Sequence, residues 1–111
     1  MNTKKIGVKG EQEAIAFLKA KGYEILASNY RYKRCEIDLI VKQNNLLVFV
    51  EVKKRKNNRF GNPEDFVSNA QQNRIQQASE EYIATINWQG RIRFDIVAIN
   101  GKEIFHIEDG F

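Results

Sequence analysis

The chain has 111 residues, of which 42% are hydrophobic and 29% charged, and this is the size and composition of one domain that buries its own core. Its net charge of +4 is compatible with a polyanionic partner without demonstrating one. The sequence has neither a long apolar run nor a signal-peptide core, which argues against a membrane protein and predicts a cytoplasmic one. Its single cysteine (Cys35) excludes an internal disulfide, and its single histidine (His106) argues against a histidine-based site.

The first predicted element is a helix over residues 7–21, after a polar start (residues 1–5) that we expect to fray. Its apolar face carries four residues: Ala14, Ile15, Phe17 and Leu18. Gly22 suits a C-terminal cap, where a positive φ is needed. Glu11 lies one turn before Ala14, where the helix dipole favours a carboxylate, so these residues alone leave its role open between a helix-start residue and a site residue.

A strand with a break at Ser28-Asn29 is predicted over residues 23–32, and it leads into a hairpin over residues 36–53. Asn44-Asn45 separates two apolar runs and predicts the turn. A turn at that point makes Gln43 face Leu46, and the same register places Asp38 opposite Glu51.

Alternation predicts that the two faces of this hairpin differ. One face is wholly apolar and carries Ile37, Leu39, Val41, Leu46, Val48, Val50 and Val52. The other face is apolar near the turn and ionic at the open end, and it carries Glu36, Asp38, Ile40, Leu47, Phe49, Glu51 and Lys53. Two carboxylates facing each other repel unless a cation lies between them, and hard divalent cations prefer oxygen ligands.

The rest of the chain predicts a polar loop over residues 54–67, a helix from an N-cap at Ser68 to about Ile86, and strands over residues 92–99 and 103–107. The helix buries a stripe made of Ile75, Ala78, Tyr82 and Ile86, which leaves Arg74 and the glutamines elsewhere on its surface. Trp88 is expected to pack at the core or its rim. The sequence leaves two roles open for Asp95, which could support the acidic site or lie at the surface or at a strand end.

Two basic clusters flank the acids in sequence: Arg31, Lys33 and Arg34, then Lys53, Lys54, Arg55, Lys56 and Arg59. In the predicted register both emerge at the open end of the hairpin. Cations around a metal-carboxylate centre suit a phosphodiester substrate, although two ordinary solvated charge runs would look the same.

An acid followed by Glu-x-Lys on the neighbouring strand resembles the active-site pattern of the PD-(D/E)XK nucleases. More narrowly, the whole chain resembles the YraN-like family of small bacterial proteins, which are related to archaeal Holliday-junction resolvases. The resemblance is carried by the segments Gly7-x-x-Gly10-Glu11-x-x-Ala14, Asn29-Tyr30-Arg31, Glu36-Ile37-Asp38-Leu39-Ile40, Val48-Phe49-Val50-Glu51-Val52-Lys53, Gln72 with Arg74-Ile75, and Arg93-Phe94-Asp95-Ile96-Val97. Cys35 and Gln71 depart from the family, which usually has Gly and often has Lys at these positions.

The resemblance implies a single α/β domain over residues 1–111 with the restriction-endonuclease-like fold: a mixed central sheet with a core hairpin, flanked by helices. It further implies that Glu11, Asp38 and Glu51 gather at Mg²⁺ or Mn²⁺, with Lys53 completing the site and Gln72 supporting it. We expect Arg31, Arg34, Lys54, Arg55, Lys56 and Arg59 to bind nucleic acid.

The function expected on this basis is metal-dependent hydrolysis of DNA phosphodiesters, including branched or junction DNA, by a protein that would act as a homodimer, as resolvase-like relatives do. A second hypothesis is a nucleic-acid-binding module of the same fold with a vestigial site. A third is an interaction protein that uses its exposed C-terminal edge strand.

Overall fold

The computed structural model describes residues 3–55 and 67–111, with side chains for residues 10–54 and 67–111. The described part is a mixed α/β structure with the elements in the predicted order: α1 (Thr3–Ala20), β1 (Glu24–Tyr32), β2 (Cys35–Gln43), β3 (Leu46–Arg55), α2 (Asn69–Ile86), β4 (Arg91–Asn100) and β5 (Glu103–Ile107). Most of the predicted loop over residues 54–67 lies outside the described residues, while its first two residues continue β3.

The five strands form one mixed sheet in the order β1-β2-β3-β4-β5. Neighbouring strands are antiparallel except β3 and β4, which are parallel. A parallel pair needs a crossover connection, and α2 lies in the chain between these two strands. The strands β1 and β5 form the two edges, so the predicted C-terminal edge strand is confirmed.

The two helices cover the sheet on opposite faces and create two apolar clusters. On the α1 face lie Ala14, Leu18, Tyr23, Leu39, Val41, Val48, Val50, Val97 and Ile99. On the α2 face lie Cys35, Ile37, Ile40, Leu47, Phe49, Val67, Ile75, Ala78 and Ile96. Near the hairpin turn the sheet is therefore buried on both faces, which accounts for the apolar residues predicted on both faces there. None of the described helices is long and apolar enough to cross a membrane.

The predicted helix boundaries are mostly correct because they were read from capping residues. At the end of α1, Gly22 has φ +93°, and the N–H groups of Gly22 and Tyr23 donate to the carbonyls of Lys19 and Leu18, which is a Schellman motif. At the start of α2, Ser68 Oγ accepts from the N–H of Gln71 at 3.1 Å.

Two predicted boundaries were wrong. Helix α1 begins at Thr3 rather than at residue 7, since Lys4 and Lys5 are good helix formers but leave no periodic apolar signal. Strand β1 is not broken at Ser28-Asn29, because the same register with β2 holds on both sides of Asn29. The only irregularity at the predicted break is the left-handed backbone of Asn29, which has φ +51°.

The hairpin has the predicted register but forks at its open end. Asn44 has φ +54°, and the pairs run from Gln43 with Leu46 to Leu39 with Val50. Beyond Val50, β3 no longer pairs with β2 and keeps only its pairing with β4. The matching end of β2 pairs only with β1. The alternation of faces also changes at the fork, because Ile37 packs in the α2-face cluster rather than with Leu39 as predicted.

A surface position for Asp95 is also excluded, because its side chain is fully buried. Arg93 donates two hydrogen bonds to its carboxylate at 2.7 Å, and the N–H of Asp109 donates at 3.0 Å. His106 Nε2 lies 2.7 Å from Asp95 Oδ2, while Lys21 Nζ lies 2.6 Å from His106 Nδ1. Asp95 thus ties β4, β5 and the C-terminal segment together.

Candidate active site

The fork in the hairpin brings two carboxyl groups together. Where β2 leaves β3, the N–H of Val52 donates to Asp38 Oδ2 at 2.8 Å. The carboxyl groups of Asp38 and Glu51 are close enough to shift each other's pKa. Both line an open cleft of about 230 Å³.

The electrostatics of this pair are unfavourable without a further positive charge. Burial raises the pKa of Glu51 to about 8, with repulsion by Asp38 as the second cause, and Lys53 offsets only part of the shift. Burial also raises the pKa of Asp38, against the opposing effect of the Val52 N–H. The pair therefore tends to keep a proton at neutral pH.

Lys53 and Gln71 form a small network around Glu51. Lys53 Nζ lies 3.5 Å from Glu51 Oε1, and Gln71 Nε2 donates to the same oxygen at 2.8 Å. Gln71 Oε1 in turn accepts from Lys53 Nζ at 3.2 Å. Gln71 therefore holds the acid and the lysine in fixed positions relative to each other.

Glu11 is held at the edge of the site by β1. Asn29 Nδ2 donates to Glu11 Oε2 at 2.7 Å, and the left-handed backbone of Asn29 permits this contact because Asn tolerates a positive φ. Burial raises the pKa of Glu11, the Asn29 hydrogen bond opposes that shift, and the charges of Asp38 and Glu36 add to it. Glu11 is thus within electrostatic range of Asp38.

The predicted gathering of Glu11, Asp38 and Glu51 is only partly seen. Asp38 and Glu51 line the same cleft, whereas Glu11 is not among its lining residues and accepts a hydrogen bond from Asn29. Within residues 10–54 and 67–111 no three His, Cys, Asp or Glu side chains are grouped closely enough to hold one metal ion.

One expectation for α2 requires correction. Gln72 does not contact the acids: its Nε2 donates to the carbonyl of Val67, and its side chain lines a separate depression with Phe94 and Phe111. Successive helical residues point about 100° apart, so only one of the two neighbouring glutamines can face the cleft, and it is Gln71.

Arg74 is exposed outside the apolar stripe, as predicted, and it also lines the cleft beside Ile75. The spacing held a usable signal, since Gln71 precedes the buried Ile75 by four residues and Arg74 follows Gln71 by three. The spacing Ser68-x-x-Gln71 is also that of a capping box, which would assign Gln71 to the helix cap instead.

The predicted basic residues lie in different places. Arg34 lines the cleft, whereas Arg31 is exposed and pairs with Glu36 at 3.5 Å. Lys54 is exposed, and its side chain passes close to Gly10 of α1. The side chain of Arg55, and all of Lys56 and Arg59, lie outside the described residues.

Comparison with known proteins gives a family without a stated activity. Residues 10–99 match the family model described as uncharacterised protein family UPF0102. A UPF0102 protein of Cytophaga hutchinsonii is 53% identical over 104 residues, which are 93% of this chain and 92% of the relative. Relatives from Christiangramia forsetii and Thermodesulfovibrio yellowstonii are 43% and 42% identical over 96% of this chain and over 92% and 95% of their own lengths. The predicted YraN-like relationship is thereby confirmed, and the chain belongs to the UPF0102 family.

Proposed function

We propose that the protein is a metal-dependent endonuclease that hydrolyses DNA phosphodiester bonds in the cleft of Asp38 and Glu51, on a restriction-endonuclease-like fold. One observation carries this proposal: the fork between β2 and β3 places the half-buried Asp38 and the buried Glu51 in one open cleft, with Lys53 beside Glu51. Buried acids with raised pKa values in a cleft are typical of functional sites.

The chemistry of the donors fits a hard divalent cation. Asp38 and Glu51 supply carboxylate oxygens that repel each other when both are ionised, and an ion between them would remove this repulsion. These two residues would hold Mg²⁺ or Mn²⁺, and Glu11 would add a ligand directly or through water. When bound, the ion would polarise the scissile phosphate and activate a water molecule.

The remaining groups of the cleft would act on the phosphate and on the acids. Lys53 would orient the attacking water or stabilise the charge that grows on the phosphate oxygens. Gln71 would hold Glu51 and Lys53 in the arrangement that the substrate meets. Branched or junction DNA is the substrate favoured by the resemblance, and a homodimer in the cytoplasm belongs to the same proposal.

The first test is a calorimetric titration of the wild type and Asp38→Asn with Mg²⁺ and with Mn²⁺ at moderate salt. Binding to the wild type and its loss in Asp38→Asn is the expected result, since the variant keeps the shape of the side chain and removes its charge. Labelled single-stranded, duplex, nicked and four-way-junction DNA would then be screened for cleavage.

The matched control for Glu51→Gln is Glu103→Gln, which makes the same change at an exposed residue of the edge strand β5. We expect Asp38→Asn and Glu51→Gln to abolish metal-dependent cleavage and Glu103→Gln to retain it. Full cleavage activity in both of the cleft variants would end this proposal.

A nucleic-acid-binding module without catalysis is the second candidate. It is favoured by the engagement of Glu51 Oε1 by both Gln71 and Lys53, which compete with any ion for that oxygen. This candidate predicts salt-dependent DNA binding by the wild type without cleavage under any divalent ion.

A further inference from the structure

Two arginines enter the acid cleft from separate elements. Arg34 lies in the turn between β1 and β2, and Arg74 lies on the second turn of α2. Both line the same cleft as Asp38 and Glu51. The cleft therefore offers two guanidinium groups next to the acid pair.

Neither guanidinium group has a partner among the described residues. Within residues 10–54 and 67–111, no ion pair or side-chain hydrogen bond involves Arg34 or Arg74, and both residues are exposed. By contrast, Arg93 is bound to Asp95, Glu108 and Tyr23, and it stabilises the fold. In the described part of the chain, therefore, no side chain competes with a ligand for Arg34 or Arg74.

The two arginines are also not used to neutralise the cleft acids. Glu51 is paired with Lys53, and Glu36 is paired with Arg31. An arginine presents five donors in a planar fork that matches a phosphate group, and it keeps its charge at any working pH. Two such groups beside a carboxylate pair suit a ligand with several negative charges spaced along a chain.

We infer that Arg34 and Arg74 bind the phosphates on the two sides of the phosphodiester that lies at Asp38 and Glu51. The nucleic-acid strand then crosses the cleft from the β1–β2 turn to α2. This inference rests on the proposed function, and it assigns a role to Arg74, which was not among the predicted nucleic-acid-binding residues.

The first test measures the affinity of metal-free protein for a short labelled DNA duplex by fluorescence anisotropy over a range of salt concentrations. Each of Arg34→Gln and Arg74→Gln should lower the slope of log K against log salt by about 0.9, the value for one lost phosphate contact on duplex DNA. The control is Arg91→Gln, an exposed arginine at the start of β4, beside the hairpin turn and at the opposite end of the sheet from the fork. This control should leave the slope unchanged.

The second test locates the two contacts relative to the cut. Strands that carry single neutral methylphosphonates at random positions are cleaved in Mn²⁺, and the products are sequenced. A methylphosphonate on either side of the scissile bond should suppress cleavage by the wild type. Arg34→Gln should lose the sensitivity on one side, and Arg74→Gln should lose it on the other.

The inference is overturned if the salt slope of either variant is unchanged, or if it falls by no more than the slope of Arg91→Gln. It is also overturned if both variants lose their sensitivity to methylphosphonates on the same side of the scissile bond. If the wild type cleaves normally and these results are negative, only the inference fails. If the wild type cleaves no DNA with any metal, the proposed activity fails separately, and the salt slopes alone decide whether the arginines bind phosphate. Urea unfolding of each variant, followed by the fluorescence of Trp88, excludes misfolding as the cause of a loss.

Discussion

The pKa of Glu51 gives a stability prediction that does not require knowledge of the substrate. The folded protein holds this carboxyl with a pKa of about 8, against 4.5 for an unperturbed glutamate. Between these pH values the folded state binds a proton that the unfolded state has released. The free energy of unfolding must therefore fall as pH rises from about 4.5 to about 8.

The size of the effect follows from the shift. One pKa unit corresponds to about 1.4 kcal/mol, so the shift of Glu51 sets a ceiling near 5 kcal/mol for metal-free protein. The side chain is only 8% exposed, so solvent screens little of this effect. Relaxation of the cleft on ionisation lowers the expected loss to about 2–5 kcal/mol.

Replacement of Glu51 by glutamine should remove this pH dependence. The amide oxygen can still accept from Gln71, and the amide group can donate to Asp38, so the packing is retained without the charge. We expect Glu51→Gln to match the wild type near pH 5 and to exceed its stability by about 2–5 kcal/mol near pH 9.

The assay is urea unfolding in a chelator at several pH values between about 5 and 9, with Glu103→Gln as the control. Parallel profiles for wild type and Glu51→Gln would refute the assignment of the raised pKa to burial and to Asp38. Addition of Mn²⁺ should restore the stability of the wild type at high pH, by about 2.7 kcal/mol at a hundredfold excess over Kd, without an effect on Glu51→Gln.

Three further predictions concern other residues. Gln71→Lys should place an ammonium beside Glu51 and lower its pKa, so the pH-dependent loss of stability should shrink in the same urea series. Gly22→Ala should destabilise by about 1 kcal/mol or more, measured by thermal unfolding, because φ is +93° there and the new methyl group meets Gln43 Nε2 at 3.0 Å. Asp95→Ala should cost about 3–5 kcal/mol by leaving Arg93 without its main partner, and DNA cleavage per folded molecule should not change.

Much of the fold could be predicted because its signals are local. Helix ends were marked by Ser68 and Gly22, and the hairpin register followed from the Asn44 turn and the alternation of apolar residues. The fork at Asp38 could not be predicted in this way, because it depends on which neighbour each half of a strand pairs with. It is a tertiary property that changes the face on which Ile37 packs without any local sequence signal.

The candidate site shows the same division. Asp38, Glu51 and Lys53 were identified from strand periodicity, which fixes the face of each side chain. Gln71 and Gln72 are adjacent and chemically identical, so the choice between them depended on the rotation of α2 about its axis. Asn29 gave no signal for its contact with Glu11, because that contact joins β1 to α1 across 18 residues.

The two aspartates of the sheet, the buried Asp95 and the half-buried Asp38, show why one is assigned to the fold and the other to the proposed function. Burial would raise the pKa of Asp95, but hydrogen bonds from His106, Arg93 and the Asp109 N–H outweigh it and leave the pKa below its usual value. Burial likewise raises the pKa of Asp38, and there the Val52 N–H, Glu51 and Lys53 offset only part of the shift, so its pKa stays above its usual value. A buried acid with all its acceptors satisfied stabilises the folded state, whereas an under-compensated acid in an open cleft destabilises it unless a cation binds there. The same physical test, applied to both residues, therefore supports the fork rather than Asp95 as the proposed ligand site.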